Sequence, residues 1–139
     1  MISTLKRMVQ AAAFAIVAAS AGPALAAEPT GIWIDHTGRG AVEITKCGSQ
    51  LCGSIVWLKD NQNHRQACGL KVIGEVKPVK GGVWDGGWIY DPEEDARYSV
   101  EITPVGANSL KIVGYLGSKL FSETMMWQRA PADLKRCDA

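Results

Sequence analysis

The sequence predicts an all-β domain, an eight-stranded antiparallel barrel, on three observations. Apolar and polar residues alternate with period two in short runs, no segment carries a sustained helical stripe, and glycine, proline and charged turns punctuate the runs. A set of even, short strands in a chain of 139 residues means a two-sheet sandwich or a closed barrel. Closure is favoured because a meander of eight strands would otherwise expose two long edges. The sandwich is the alternative.

Before the strands comes a segment of another kind. Lys6 and Arg7 precede an apolar run, Ala11 to Ala19, followed by Gly22-Pro23 and Ala24-Leu25-Ala26. This is the charged, apolar, small-residue order of a secretory signal peptide, and its apolar run is too short to span a bilayer as a helix. Residues 1–26 are therefore read as a signal peptide cleaved after Ala26, and residues 27–139 as one barrel domain, periplasmic or secreted. Ala27, not cysteine, follows the cut, so nothing points to a lipid anchor or a membrane span in the mature chain. The segment removed holds two cations and no acids, leaving 13 basic against 14 acidic groups. A near-neutral surface argues against nucleic acid as a partner, because such binding depends on Lys/Arg pairing with phosphates.

The strands follow in order. Gly31 to His36 is the first and Gly40 to Cys47 the second, with Val42 and Ile44 sharing a face. Leu51 to Lys59 places Ile55 and Trp57 opposite Val56 and Leu58. Asp60 to Gln66 is loop by composition. Leu70, Val72, Gly74 and Val76 then alternate with Lys71, Glu75 and Lys77. Val83 to Tyr90 is a strand with Gly86-Gly87 inside it, and Asp91 to Asp95 is a turn before the alternation of Tyr98, Val100 and Ile102. Asn108 to Leu116 and Phe121 to Arg129 complete eight strands. The glycines within strands (Gly53, Gly74, Gly86, Gly87, Gly114) suit the bends and bulges of a small barrel.

Four cysteines, Cys47, Cys52, Cys68 and Cys137, remain in the mature chain and allow three connectivities. We favour Cys47–Cys52 across a hairpin loop, Gly48 to Leu51, and Cys68–Cys137. An exported chain favours disulfides, and the spacings lack the Cys-x2-Cys knuckle of a metal site. No metal or cofactor is expected.

The residues also carry a resemblance. Gly31-Ile32-Trp33 opens the first strand as the Gly-x-Trp motif opens lipocalins, and Arg129 ends the last strand. More of the chain is similar to the small exported bacterial proteins of the domain-of-unknown-function family DUF2147. The matching stretches are Cys52 to Leu58, Gly86 to Pro92 with Tyr98 following, Leu110 to Gly117, and Trp127-Gln128-Arg129. The resemblance implies a lipocalin-like (calycin) barrel and an envelope location, with Trp33 packed under Arg129 to close one end. It leaves substrate and chemistry open. Where the family favours glycine after Asp-Pro, this chain has Glu94-Asp95, and Asp tolerates the left-handed conformation such a turn needs.

Candidate functional residues are few. Trp84, Gly86, Trp88 and Tyr90 fall on one face of a strand under strict alternation. With Trp57, Trp127 and Tyr115 they either fill the lumen or line a pocket, since an eight-stranded barrel is just wide enough for side chains or one small ligand. The expected ligand contacts are Trp57, Trp84, Trp88, Tyr90 and Tyr115. The acids Asp91, Glu93, Glu94 and Asp95 read as a solvated turn, and neither His36 nor His64 sits beside a nucleophile. Glu123 alternates with Phe121 and Met125, so it either pairs with Arg129 or Lys119 or lies at a rim. The Asp60–Cys68 loop is the expected gate or contact surface. These readings favour a binding protein for a small apolar or amphipathic molecule. The alternative is an envelope protein-interaction or structural module with a filled core. An enzyme is not expected, because no acid, base and nucleophile set assembles.

Overall fold

The structure, a computed structural model, describes residues 12–16 and 27–138. The proposed signal peptide, cleaved near Ala26, lies almost wholly outside the described residues. Eight antiparallel strands close into a barrel in sequence order: β1 (Gly31–Ile34), β2 (Gly40–Cys47), β3 (Gln50–Leu58), β4 (Lys71–Pro78), β5 (Trp84–Asp91), β6 (Ala96–Val105), β7 (Ser109–Leu116) and β8 (Ser118–Arg129). Two single-turn 3-10 segments, Arg65–Ala67 and Lys80–Gly82, sit in connections. Among the described residues no helix is long and apolar enough to cross a membrane.

The seam of the barrel is short. β1 runs four residues along β2 but meets β8 only at Trp33↔Arg129 and Ile34↔Gln128. Among the described residues, the outer edge of β8 from Ser118 to Trp127 therefore has no strand partner.

One end is packed solid. Ile44, Leu51, Ile73, Val76, Val100, Ile102, Leu110 and Ile112 are essentially inaccessible and form one cluster with Trp33 and Trp127. Each comes from the inward face of its strand, where period-two patterning places it. The plug is Trp33, whose Nε1 donates to Pro29 O at 2.9 Å while the Arg129 guanidinium lies 4.2 Å from its ring centroid. Arg129 also donates to the carbonyls of Thr30 and Ala107. A desolvated cation over an indole is worth about 1 to 2 kcal/mol. The expected Trp33–Arg129 closure is thus present.

The wall departs from strict alternation at bulges. A register shift at Ala41/Val42 pairs Ala41 with Trp57 but Val42 with Ile55. A second, between Trp84 and Gly87, leaves Gly86 as the extra residue with φ +80°. Beyond each bulge the inward and outward faces exchange, because one added residue reverses the period-two sequence. The β4–β5 contact is the tightest in the wall: a Cβ on Gly87 would lie 2.6 Å from the backbone nitrogen of Val76, and one on Gly74 would meet the Trp88 indole.

Both favoured disulfides are present, with Cα separations of 5.8 Å for Cys47–Cys52 and 6.1 Å for Cys68–Cys137. The hairpin itself is tighter than expected. Cys47 faces Gln50 and Cys52 faces Thr45, so Gly48-Ser49 makes the turn and the bridge crosses the strands diagonally. The second bridge fixes the tail to the outer wall, where Cys137 N donates to Val56 O at 2.7 Å and Arg136 forks onto both oxygens of Glu43.

Candidate functional site

The opposite end is open. Connections β1–β2, β3–β4, β5–β6 and β7–β8 surround a cavity of about 1460 Å³ that runs down to Val42, Ile55, Val72 and Trp127. Those four floor residues are buried, and Leu58, Leu70, Ile89 and Met125 line the wall above them. The barrel is thus filled in its closed half and hollow in its open half, so neither of the two sequence alternatives for the lumen describes it whole. Leu116, Leu120 and Phe121 sit at the mouth with 57 %, 90 % and 75 % of their surface exposed. Three large apolar side chains held in water at one opening are a feature that marks contact surfaces.

The rim is polar and braced by short hydrogen bonds. Tyr90 Oη donates to Asp95 Oδ1 at 2.7 Å and Tyr98 Oη donates to Glu94 Oε2 at 2.8 Å. Each accepting carboxylate raises the pKa of its phenol above the ordinary 10.0, with some burial adding to the effect, so both hydroxyls stay protonated as donors at neutral pH. Asp95 adopts φ +50°, the left-handed conformation expected of the residue that replaces glycine in this turn. Asp91 Oδ1 accepts from the Glu93 amide at 2.9 Å. Arg39, from the β1–β2 connection, reaches Glu93 on the β5–β6 turn at 3.0 Å. Four strands separate these connections around the barrel, so the ion pair spans the mouth. Both partners are well exposed, which limits its contribution to about 0 to 1 kcal/mol. The β3–β4 connection contributes Asp60, Asn63, His64, Gln66 and Ala67 to the lining, so the segment expected to carry contacts does border the cavity.

Of the five aromatic residues expected to contact ligand, the structure brings only Tyr90 to the cavity. Trp84 pairs with Ile102 and packs against the core of the filled half. The Gly86 bulge then sends Trp88 to the outer face, over Gly74, where its Nε1 donates to Glu75 Oε2 at 3.0 Å and Arg97 stacks 4.0 Å from its centroid. Trp57 is opposite Ala41 and half-buried off the cavity wall, while Leu58 takes the lining position that strict alternation gave to Trp57. Tyr115 lies on the outer wall, its hydroxyl donating to Asp85 Oδ1 at 2.7 Å. Glu123 borders the cavity at the rim, and neither candidate partner reaches it: Lys119 is taken by Asp85 and Glu101, and Arg129 by the closed end. The lining rings that the expected set of five lacked are Tyr98, Phe121 and Trp127. For Phe121 and Trp127 the available signal was their alternation with Glu123 and Met125 on β8.

The Asp85 cluster is a brace on the outer wall. Burial alone would raise the Asp85 pKa, but the Lys119 ammonium, the Tyr115 hydroxyl and the Gly86 amide together hold it below the ordinary 3.8. A carboxylate stabilised in the folded state adds stability above its unfolded pKa and loses it as pH falls through the folded value. Asp85→Asn should therefore lower Tm at pH 6 and lose that difference progressively below about pH 4. Parallel melting curves of the two proteins at pH 6 and pH 2.5 read it out, and a Tm difference unchanged on acidification would contradict it.

The comparisons with known proteins agree with this architecture. A model of a family described as uncharacterized proteins conserved in bacteria matches residues 31–129. Among solved structures, a protein of Helicobacter pylori, HP1028, described as belonging to the lipocalin family, superposes with TM-score 0.61 at 15 % identity, covering 77 % of this chain and 86 % of its own. At that identity the likeness is one of fold. No curated protein matches the chain.

Proposed function

We propose that this chain, which belongs to the DUF2147 family of uncharacterized bacterial proteins, is a binding protein that holds a small apolar or amphipathic molecule in the open half of its barrel. The observation that carries the reading is the cavity of about 1460 Å³, with a buried apolar floor and its polar groups confined to the rim. Ligand sites are characteristically concave and mostly apolar with a few placed polar groups. A lipocalin-like barrel closed at one end and open at the other supplies that shape without any moving part. The two disulfides suit an oxidising compartment. With the leader read from the sequence, they support a periplasmic or secreted protein. Catalysis is not part of the proposal.

The test is displacement of a neutral fluorescent probe such as N-phenylnaphthylamine, combined with blockade of the cavity. Ala67 lines the mouth from the β3–β4 connection and is only half-buried, so a larger side chain there fills the cavity without intruding into the packed half. Ala67→Phe is expected to weaken probe binding at least tenfold while leaving Tm within a few degrees. Equal binding by both proteins would place the probe elsewhere and count against the cavity.

A second reading has its own observation. The unpaired edge of β8, Ser118 to Trp127, offers backbone donors and acceptors to an added strand, as edge strands do. An envelope protein-interaction or structural module would use that edge. Such a module would retain its partner when Ala67→Phe blocks the cavity.

A further inference from the structure

The charges of this chain are not spread evenly. Among the described residues, six acids border the cavity, Asp35, Asp60, Asp91, Glu93, Glu94 and Glu123, against two lysines and arginines, Arg39 and Lys59. Arg39 is committed to Glu93. Hydrogen bonds from Tyr98 and from backbone amides orient Glu94 and Asp91 without cancelling their charge. A mouth where one sign of charge predominates above low-dielectric walls focuses its field on whatever approaches. Anions are repelled there and cations concentrated.

Below the rim the lining is apolar: Leu58, Leu70, Ile89 and Met125 stand above the buried floor of Val42, Ile55, Val72 and Trp127. Such a lining takes the apolar body of a ligand and leaves its charged group at the mouth.

We propose that the cavity selects an amphipathic cation: an apolar body inserted tail first and a positively charged head held at the acidic rim. This rests on the ligand-binding reading and gives it a substrate class. It sets the protein apart from a carrier of fatty acids, whose carboxylate would meet a rim where acids outnumber cations six to two.

The experiment compares three ligands of one chain length below their micellar concentrations: dodecyltrimethylammonium, dodecanol and dodecanoate, each displacing N-phenylnaphthylamine. At low ionic strength the cation is expected to bind at least tenfold more tightly than dodecanoate, with the alcohol between. The gap should shrink severalfold in 0.5 M sodium chloride, where screening is short-ranged. The double variant Glu94→Gln and Glu123→Gln should shrink it in low salt as well, since each amide keeps the shape and removes one negative charge. Equal affinity for cation and carboxylate, or tighter binding of dodecanoate, overturns the selectivity while leaving the cavity reading intact. If none of the three ligands displaces the probe and Ala67→Phe does not affect it, the ligand-binding reading itself falls, and the selectivity with it.

Discussion

Gly87→Ala is expected to destabilise the barrel by at least about 3 kcal/mol, the range of substitutions whose added atoms cannot be accommodated by repacking. The new methyl would be driven against backbone, the carbonyl of Gly74 and the nitrogen of Val76, and not against a side chain that can rotate away. Relief would require β4 and β5 to separate, giving up ladder hydrogen bonds on both sides of the bulge. The neighbouring Gly86 supplies the control. A Cβ there meets nothing within 4 Å, and only its positive φ opposes a side chain, at a cost of about 1 to 2 kcal/mol. Urea denaturation should rank Gly87→Ala well below Gly86→Ala. A reversed order would mean that the β4–β5 approach is looser than described.

Reduction of the two disulfides should lower Tm by about 15 to 25 °C. On the chain-entropy account, the Cys68–Cys137 bridge, with a sequence separation of 69, contributes about 4 kcal/mol and the Cys47–Cys52 bridge about 2 kcal/mol. A domain of this size loses several degrees per kcal/mol. Cys68→Ser with Cys137→Ser should account for most of the loss and Cys47→Ser with Cys52→Ser for the smaller part. A melting curve indifferent to reductant would contradict the bridges. The larger bridge also has a local role, because it pins the end of the β3–β4 connection, which borders the cavity, to the C-terminal tail.

The fold was readable because burial in a barrel repeats every second residue, and the eight strands lie where alternation and turn residues put them, with bounds shifted by a few positions. The β1 strand stops at Ile34 instead of His36, since Asp35 turns to bind Thr37. The cysteine pairing and the Trp33–Arg129 closure were also legible, one from compartment and spacing, the other from motif resemblance. Which rings face the cavity was not. A single bulge reverses the phase of everything beyond it, so counting by twos from Trp84 put Trp88 on the wrong side, and counting from Ile55 did the same to Trp57. The glycine pair marked the first of these bulges but not its direction. Arg39–Glu93 and Asp85–Lys119 join residues far apart in sequence, and neither spacing nor composition identifies such pairs.

The short junction between β1 and β8 makes the cylinder mechanically unequal around its circumference. Most staves are stitched to neighbours on both flanks, whereas the mouth-proximal portion of β8 hangs from β7 alone. Local opening follows the fewest bonds, so the wall should breathe along this side before any other part loosens. A bulky guest could then arrive laterally between β8 and the β1–β2 connection, both of which border the cavity, and not only through the top.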